Sequence, residues 1–170
     1  RYFPLTYGRA HLRFIQLVMT RDTLFIAPKE VKEDLEKHFK NNVIEAIIGQ
    51  DIVLPDLKIK VIPAYNVNKN FHKKEYNWVG YILEYENIKY AILGDCDENV
   101  DNRKVVCDVL LLPIGGYYTM DGIEGALLTK KIRPKLVIPT HYNAIVGSKE
   151  NEKEFIDNLN GEVPYEIMIF

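Results

Sequence analysis

Cysteine is scarce in this sequence: Cys96 and Cys107 are the only two in 170 residues. Two thiols cannot frame a disulfide-stapled scaffold and fit a reducing compartment better, so both are read as free. Excess charge is also lacking. Twenty-two Lys and Arg face 24 Asp and Glu, for a formal net charge of -2. No overall basic field exists to gather nucleic acid or an anionic membrane, and a polyanionic ligand would need a local site. No uninterrupted apolar run is long enough to span a bilayer, and Arg1-Tyr2-Phe3-Pro4 lacks the charged-then-apolar order of a secretory signal. The expectation is a cytoplasmic protein without a membrane partner. Internal repeats and low-complexity tracts are absent too.

What is present is ordinary for a globular chain, with 47% hydrophobic and 27% charged residues, enough to bury a core without a metal or disulfide staple. One domain over residues 1–170 is expected. Thr23 to Ala27 reads as a buried strand ended by Pro28, followed by a helix over Lys29 to Lys40 with Val31, Leu35 and Phe39 on one face and His38 at the surface. Strand patterns follow at Val43 to Ile48, Leu57 to Ile62, Trp78 to Tyr85 and Ile88 to Leu93, with Glu86-Asn87 as a hairpin turn. Val109 to Pro113 and Leu136 to Pro139 are short apolar runs, as in strands buried on both faces. Asp121 with Glu124 has capping-box spacing for a helix reaching Lys131 or Ile132, Ser148 caps another ending near Gly161, and Tyr165 to Phe170 reads as a last strand. The order predicts an α/β fold with helices packed on sheet.

Three strand ends or loops carry metal-ligand residue types: His72 in the polar stretch 66–77, Asp95 after Gly94, and His141 after Pro139-Thr140. Each has a bland reading, as a turn aspartate or an ordinary hydrogen-bonded histidine. Together, two imidazoles and a carboxylate are chemically suited to zinc, and a carboxylate can bridge two ions.

The blocks Val61 to Asn66, Trp78 to Tyr81, Gly94 to Asp97, Asp108 to Gly116, Tyr118 to Asp121 and Ile138 to Tyr142 resemble metallo-β-lactamase-fold hydrolases in order and spacing, over roughly Asp22 to Phe170. The similarity points to the branch of lactonase-like and metal-dependent hydrolases. It implies a four-layer αββα sandwich with metal at one edge, Asp95 as the bridging aspartate, His141 as the final histidine, and His72 as the histidine after the Pro-Ala-Tyr-Asn block. Some relatives carry a ligand histidine where Asn66 stands, so the assignment to His72 rests on the context Asn70 to Lys74. Asp97 is a weaker catalytic, outer-shell candidate, and Asp121 a further one; turn and cap roles compete for both. Tyr117, Tyr118 and Tyr142 are candidates for lining a substrate pocket.

The resemblance also implies an upstream His-x-His-x-Asp-His motif, which is not found. The matching region reads Leu5 to Leu12, with Tyr7 and Arg9 in histidine places and His11 alone able to ligate. An arginine there would oppose a divalent cation. Three explanations stay open: N-terminal residues are omitted, the protein is a degenerate homologue, or a partner chain completes the fold; the first is favoured. The leading expectation is a metal-dependent hydrolase that activates water on zinc and cleaves an ester, lactone or phosphodiester of a small molecule. Two zinc ions are expected in an intact site, with one or none as the alternatives. The competing readings are a non-catalytic binding or interaction domain and a nuclease using Lys69, Lys73 and Lys74. Nucleic acid is disfavoured by the net charge, and a homo-oligomer is left open.

Overall fold

The structure is a computed structural model and describes residues 2–4, 22–38, 42–144 and 146–168. Two sheets form. The smaller is parallel, in the order β1 (Tyr2–Pro4), β2 (Leu24–Ala27), β3 (Val43–Glu45). The larger has six strands in chain order: β4 (Asp51–Leu54), β5 (Leu57–Pro63), β6 (Val79–Tyr85), β7 (Ile88–Ile92), β8 (Val109–Pro113) and β9 (Leu136–Thr140). Its first four strands are antiparallel neighbours, whereas β7, β8 and β9 are parallel. The three described α-helices are α1 (Lys29–His38), α2 (Gly122–Ile132) and α3 (Lys149–Leu159).

Local chemistry accounts for the punctuation. Glu86 and Asn87 both take positive φ, of 50° and 64°, as a two-residue turn matched to strand twist requires. Asp121 accepts from the Glu124 N–H while the Glu124 carboxylate accepts from the Asp121 N–H, a complete capping box at α2. Ser148 and Asn151 do the same for α3.

Strand alternation then divides the core in two. Ile52, Ile59, Val61, Val79 and Tyr81 of the large sheet pack with Ile26 of the small one and with Ala46 just after it. The Tyr81 hydroxyl crosses that interface to donate to the Ile26 carbonyl at 3.2 Å. Phe25 and Ala27, on the opposite face from Ile26, are fully buried on the side of β2 and β3 where α1 brings Leu35. The second core holds Ala91, Leu93, Leu110, Leu112 and Val137 against Ala126, Leu128, Phe155 and Leu159 of the paired helices α2 and α3. The layers are therefore helix, sheet, sheet and helix, as expected.

Several expected elements shift. The Val43 to Ile48 strand stops at Glu45, and β4 forms where none was expected, joined to β5 by the tight turn Pro55-Asp56. The strand expected over Tyr165 to Phe170 reduces, among the described residues, to one bridge between Val137 and Tyr165. Pro164 supplies a carbonyl to the Val137 N–H but has no N–H of its own, so the ladder does not extend on that side. No helix among the described residues is long and apolar enough to cross a membrane.

Candidate metal centre

Parallel strands β7, β8 and β9 end along one edge, and the chain leaves each end through a loop that carries polar residues. After β7 the backbone turns at Gly94, whose φ of +70° is a conformation other residues resist. That turn delivers Asp95 to the sheet edge. After β9 comes His141, itself at φ 57°. Gly115, after β8, lies so close that a Cβ there would stand 2.3 Å from the His141 carbonyl oxygen, so the absence of a side chain is what lets the two loops meet. His72 enters from the long loop between β5 and β6, again with positive φ, 54°. Non-glycine residues at positive φ are uncommon, and both candidate histidines are among them.

The Asp95 carboxylate lies between the two imidazoles. Its Oδ1 is 3.1 Å from His141 Nδ1 and its Oδ2 is 3.8 Å from His72 Nε2. The first distance suits a hydrogen bond but the alignment does not, and Asp95 Oδ1 is buried with no hydrogen-bond partner, as are His72 Nδ1 and Asn66 Oδ1. A buried carboxylate oxygen without a donor is costly. Metal bonds of about 2.0–2.1 Å in a tetrahedron put neighbouring donor atoms about 3.3 Å apart, a value the two spacings bracket. The two spacings are compatible with a cation shared between the carboxylate and an imidazole. Among the described residues, however, no group of three or more His, Cys, Asp or Glu side chains closes into a ready-made cage. The donors are paired through one carboxylate.

Burial lowers the pKa of His72 from its ordinary value, against an upward pull from Asp95, and the nearby His141 adds to the lowering. A neutral imidazole is the form that binds metal. Cys96 lies between Asp95 and Asp97 but is buried in the core, and that burial pushes its thiol up to about 12. It packs there as a small apolar residue rather than serving as a thiolate.

Residues 18–141 match the beta-lactamase superfamily domain. The chain belongs to that superfamily. It is 40% identical over 130 residues to a metal-dependent hydrolase of Staphylothermus marinus, covering 74% of this chain and 55% of that one. The chain spans about half the length of the curated relatives it matches. A metallo hydrolase from Ignicoccus hospitalis superposes with a TM-score of 0.74 at 24% identity, covering 98% of this chain and 75% of that structure. CmlA, a diiron β-hydroxylase from Streptomyces venezuelae, gives 0.75 at 10% identity, covering 98% and 43%. These structural likenesses establish the metallo-β-lactamase fold, and the diiron neighbour shows that the fold alone selects neither metal nor reaction.

Within this superfamily fold, the other sequence-derived candidates have definite places. Asp97 forms an ion pair with Lys69 and accepts from the Val67 N–H at 3.3 Å. Lys69 also donates to the Thr119 carbonyl at 2.9 Å. Asp97 thus braces the loop that carries His72. Asn66 joins the same brace: its amide nitrogen donates to the Phe71 and Tyr118 carbonyls at 3.0 and 2.7 Å, and its N–H to the His72 carbonyl at 2.7 Å. Sequence reading missed Asn66 and Lys69 as builders of the site, since their partners lie up to 52 positions away. The one available signal was the unusual length of the polar loop.

Tyr117 and Tyr118 meet edge to face at 4.6 Å, and Phe71 stands 4.8 Å from Tyr118. The His72 ring lies 4.4 Å from Trp78 and 6.4 Å from Tyr118, so the imidazole has two aromatic neighbours. Tyr142 does not join this wall. It is 1% exposed, and its hydroxyl donates to Glu152 at 2.7 Å. The Asp121 carboxylate is occupied by the α2 cap rather than turned to the histidines. His11, with Tyr7 and Arg9, lies outside the described residues.

Proposed function

We propose that this chain carries the later part of a metal-dependent hydrolase site, with Asp95, His72 and His141 as the donors it contributes. The observation that supports this reading is the Asp95 carboxylate, which turns one oxygen toward each imidazole while its buried Oδ1 lacks a hydrogen-bond donor. The donor set suits zinc, and a carboxylate shared in this way suits a pair of ions. A metal held by Asp95, His72 and His141 would supply Lewis-acid chemistry, acidifying a bound water and polarising the electrophilic group of the substrate. The chain's own part is positional. Asp97, Lys69 and Asn66 hold the His72 loop to the loop at Tyr118 and Thr119, and Trp78 and Tyr118 pack beside the His72 ring. The reaction in this reading is hydrolysis of an ester or lactone of a small molecule in a reducing, cytoplasmic compartment, with a phosphodiester as the less favoured class. Cys96 and Cys107, both free, accord with that compartment.

Metal analysis of purified, zinc-loaded protein tests the assignment. The parent should retain metal through gel filtration. Asp95→Asn should lose most of it and reduce turnover on the order of a hundredfold or more, since several kcal/mol of transition-state stabilisation go with the metal. Undiminished metal and activity in Asp95→Asn would overturn the assignment. The second reading, a non-catalytic homologue, is favoured by Tyr7 and Arg9 standing where the family resemblance implies histidines; it requires that the parent hold no metal, or one ion only weakly, and show no turnover. The nuclease reading is the least favoured of the three. Of its three lysines, Lys69 is tied to Asp97 and Thr119, and Lys74 lies near Asp101 and over the Tyr65 ring.

A further inference from the structure

Beside the His72 loop, at the C-terminal ends of β2 and β3, lies an open groove of about 600 Å³. Trp78 forms part of its wall and its ring also lies 4.4 Å from that of His72, so the groove neighbours the candidate metal centre. Open parallel sheets bind ligands beyond the carboxyl ends of their strands, and this groove occupies that position. Ile47 and Tyr76 add apolar surface, at 59% and 46% exposure. The charged lining is one-sided: Glu30, Glu45 and Glu75 against Lys29. None of the three glutamates forms an ion pair among the described residues. One effect opposes a cation. The first turn of α1 opens on the same groove and carries roughly half a positive charge, but three carboxylates outweigh it, and Glu30 lies in that turn.

We propose that this groove binds the body of a small molecule that is apolar and carries a cationic group such as an amine. An apolar or aromatic portion lies along Trp78, Tyr76 and Ile47, and its ammonium faces the glutamates. Taking this molecule as the substrate rests on the hydrolase reading above; binding in the groove does not. The proposal disfavours phosphodiesters and other anions, which the same carboxylates repel.

Trp78 is the only tryptophan in the sequence, so its fluorescence reports on the groove directly. The test is titration of the full chain with 4-phenylbutylamine and with 4-phenylbutyrate, which differ in the sign of charge on a similar apolar body. The amine should bind at least fivefold more tightly at low salt, with the preference shrinking as salt is raised. Glu45→Gln combined with Glu75→Gln should reduce that preference to below twofold while the Trp78 response and the unfolding transition persist. Equal or tighter binding of the carboxylate, an unchanged preference in the double variant, or no Trp78 response to either probe at millimolar concentration would each overturn the proposal. The same titration with metal chelated separates the two ideas. Amine binding by the chelated chain, together with no metal retained by the zinc-loaded parent, sinks the hydrolase reading alone, and ester hydrolysis without a groove response sinks the groove alone.

Discussion

At His141 and His72 a side chain with a Cβ is held at positive φ, where most residues are strained and glycine is not. If these positions serve metal binding, stability and function should part company there. His141→Gly is expected to leave the metal-free chain as stable as the parent or up to about 1 kcal/mol more stable, while metal retention falls; urea unfolding in chelator and metal analysis measure the two effects. A loss of more than about 1 kcal/mol without metal would mean that the imidazole is there for packing. Gly115→Ala should instead affect both. Its Cβ would fall 2.3 Å from the His141 carbonyl, so the loops must part, with a destabilisation of about 1–3 kcal/mol typical of overpacking and weaker metal binding besides. Tyr142→Phe keeps the buried ring but deletes the hydroxyl that meets Glu152. About 1 kcal/mol should be lost with metal content unchanged, as befits a residue turned away from the aromatic wall.

Elements announced by a short local code were legible in the sequence. The Asp121-x-x-Glu124 spacing, Ser148 as a cap and Glu86-Asn87 as a turn all needed only neighbours within three residues, and all form. β4 was missed because Asp51 to Leu54 gains its partner only by folding back on β5. Asp121→Ala should therefore lower stability by about 1 kcal/mol, the usual value of such a cap, without altering metal content. Between elements, Glu98 accepts from Arg103 and from Lys131 on α2, fastening the loop after Asp95 to that helix. Burial alone would raise the Glu98 carboxyl; the hydrogen bonds from Lys131 and Arg103 outweigh it and hold the pKa below its ordinary value. A lowered carboxylate stabilises the fold above its unfolded pKa, near 4.3, and that contribution is lost as pH falls through the folded value. Glu98→Gln should accordingly lower stability by about 0.5–1 kcal/mol at pH 7, and its unfolding curve should converge with the parent's as both are acidified toward about pH 3. A gap that stays constant with pH would assign the effect to packing.

The architecture of the whole molecule was readable because family-like blocks recur in order along the chain, and the layers follow from which strands alternate and which are apolar on both faces. The site was readable only as far as its residue types. His72, Asp95 and His141 come together, but the brace through Asn66, Lys69 and Asp97 is a product of tertiary folding that no local pattern encodes. The two cores lie on opposite faces of one sheet, which makes their independence measurable. Ile59 on β5 faces the small sheet, and Leu110 on β8 faces α2 and α3. The strands are three steps apart, or roughly 14 Å at ordinary strand spacing. Ile59→Val should cost about 0.5–1.5 kcal/mol and Leu110→Ala about 2–5 kcal/mol. At that separation the double variant should equal their sum within about 0.5 kcal/mol. Because both cores share the large sheet, each variant should shift one common denaturant transition without changing its slope, whether followed by Trp78 fluorescence or by far-UV dichroism. Two separated transitions would show that the sheets unfold as independent units, and a large excess over additivity would show that strain passes through the sheet from one core to the other.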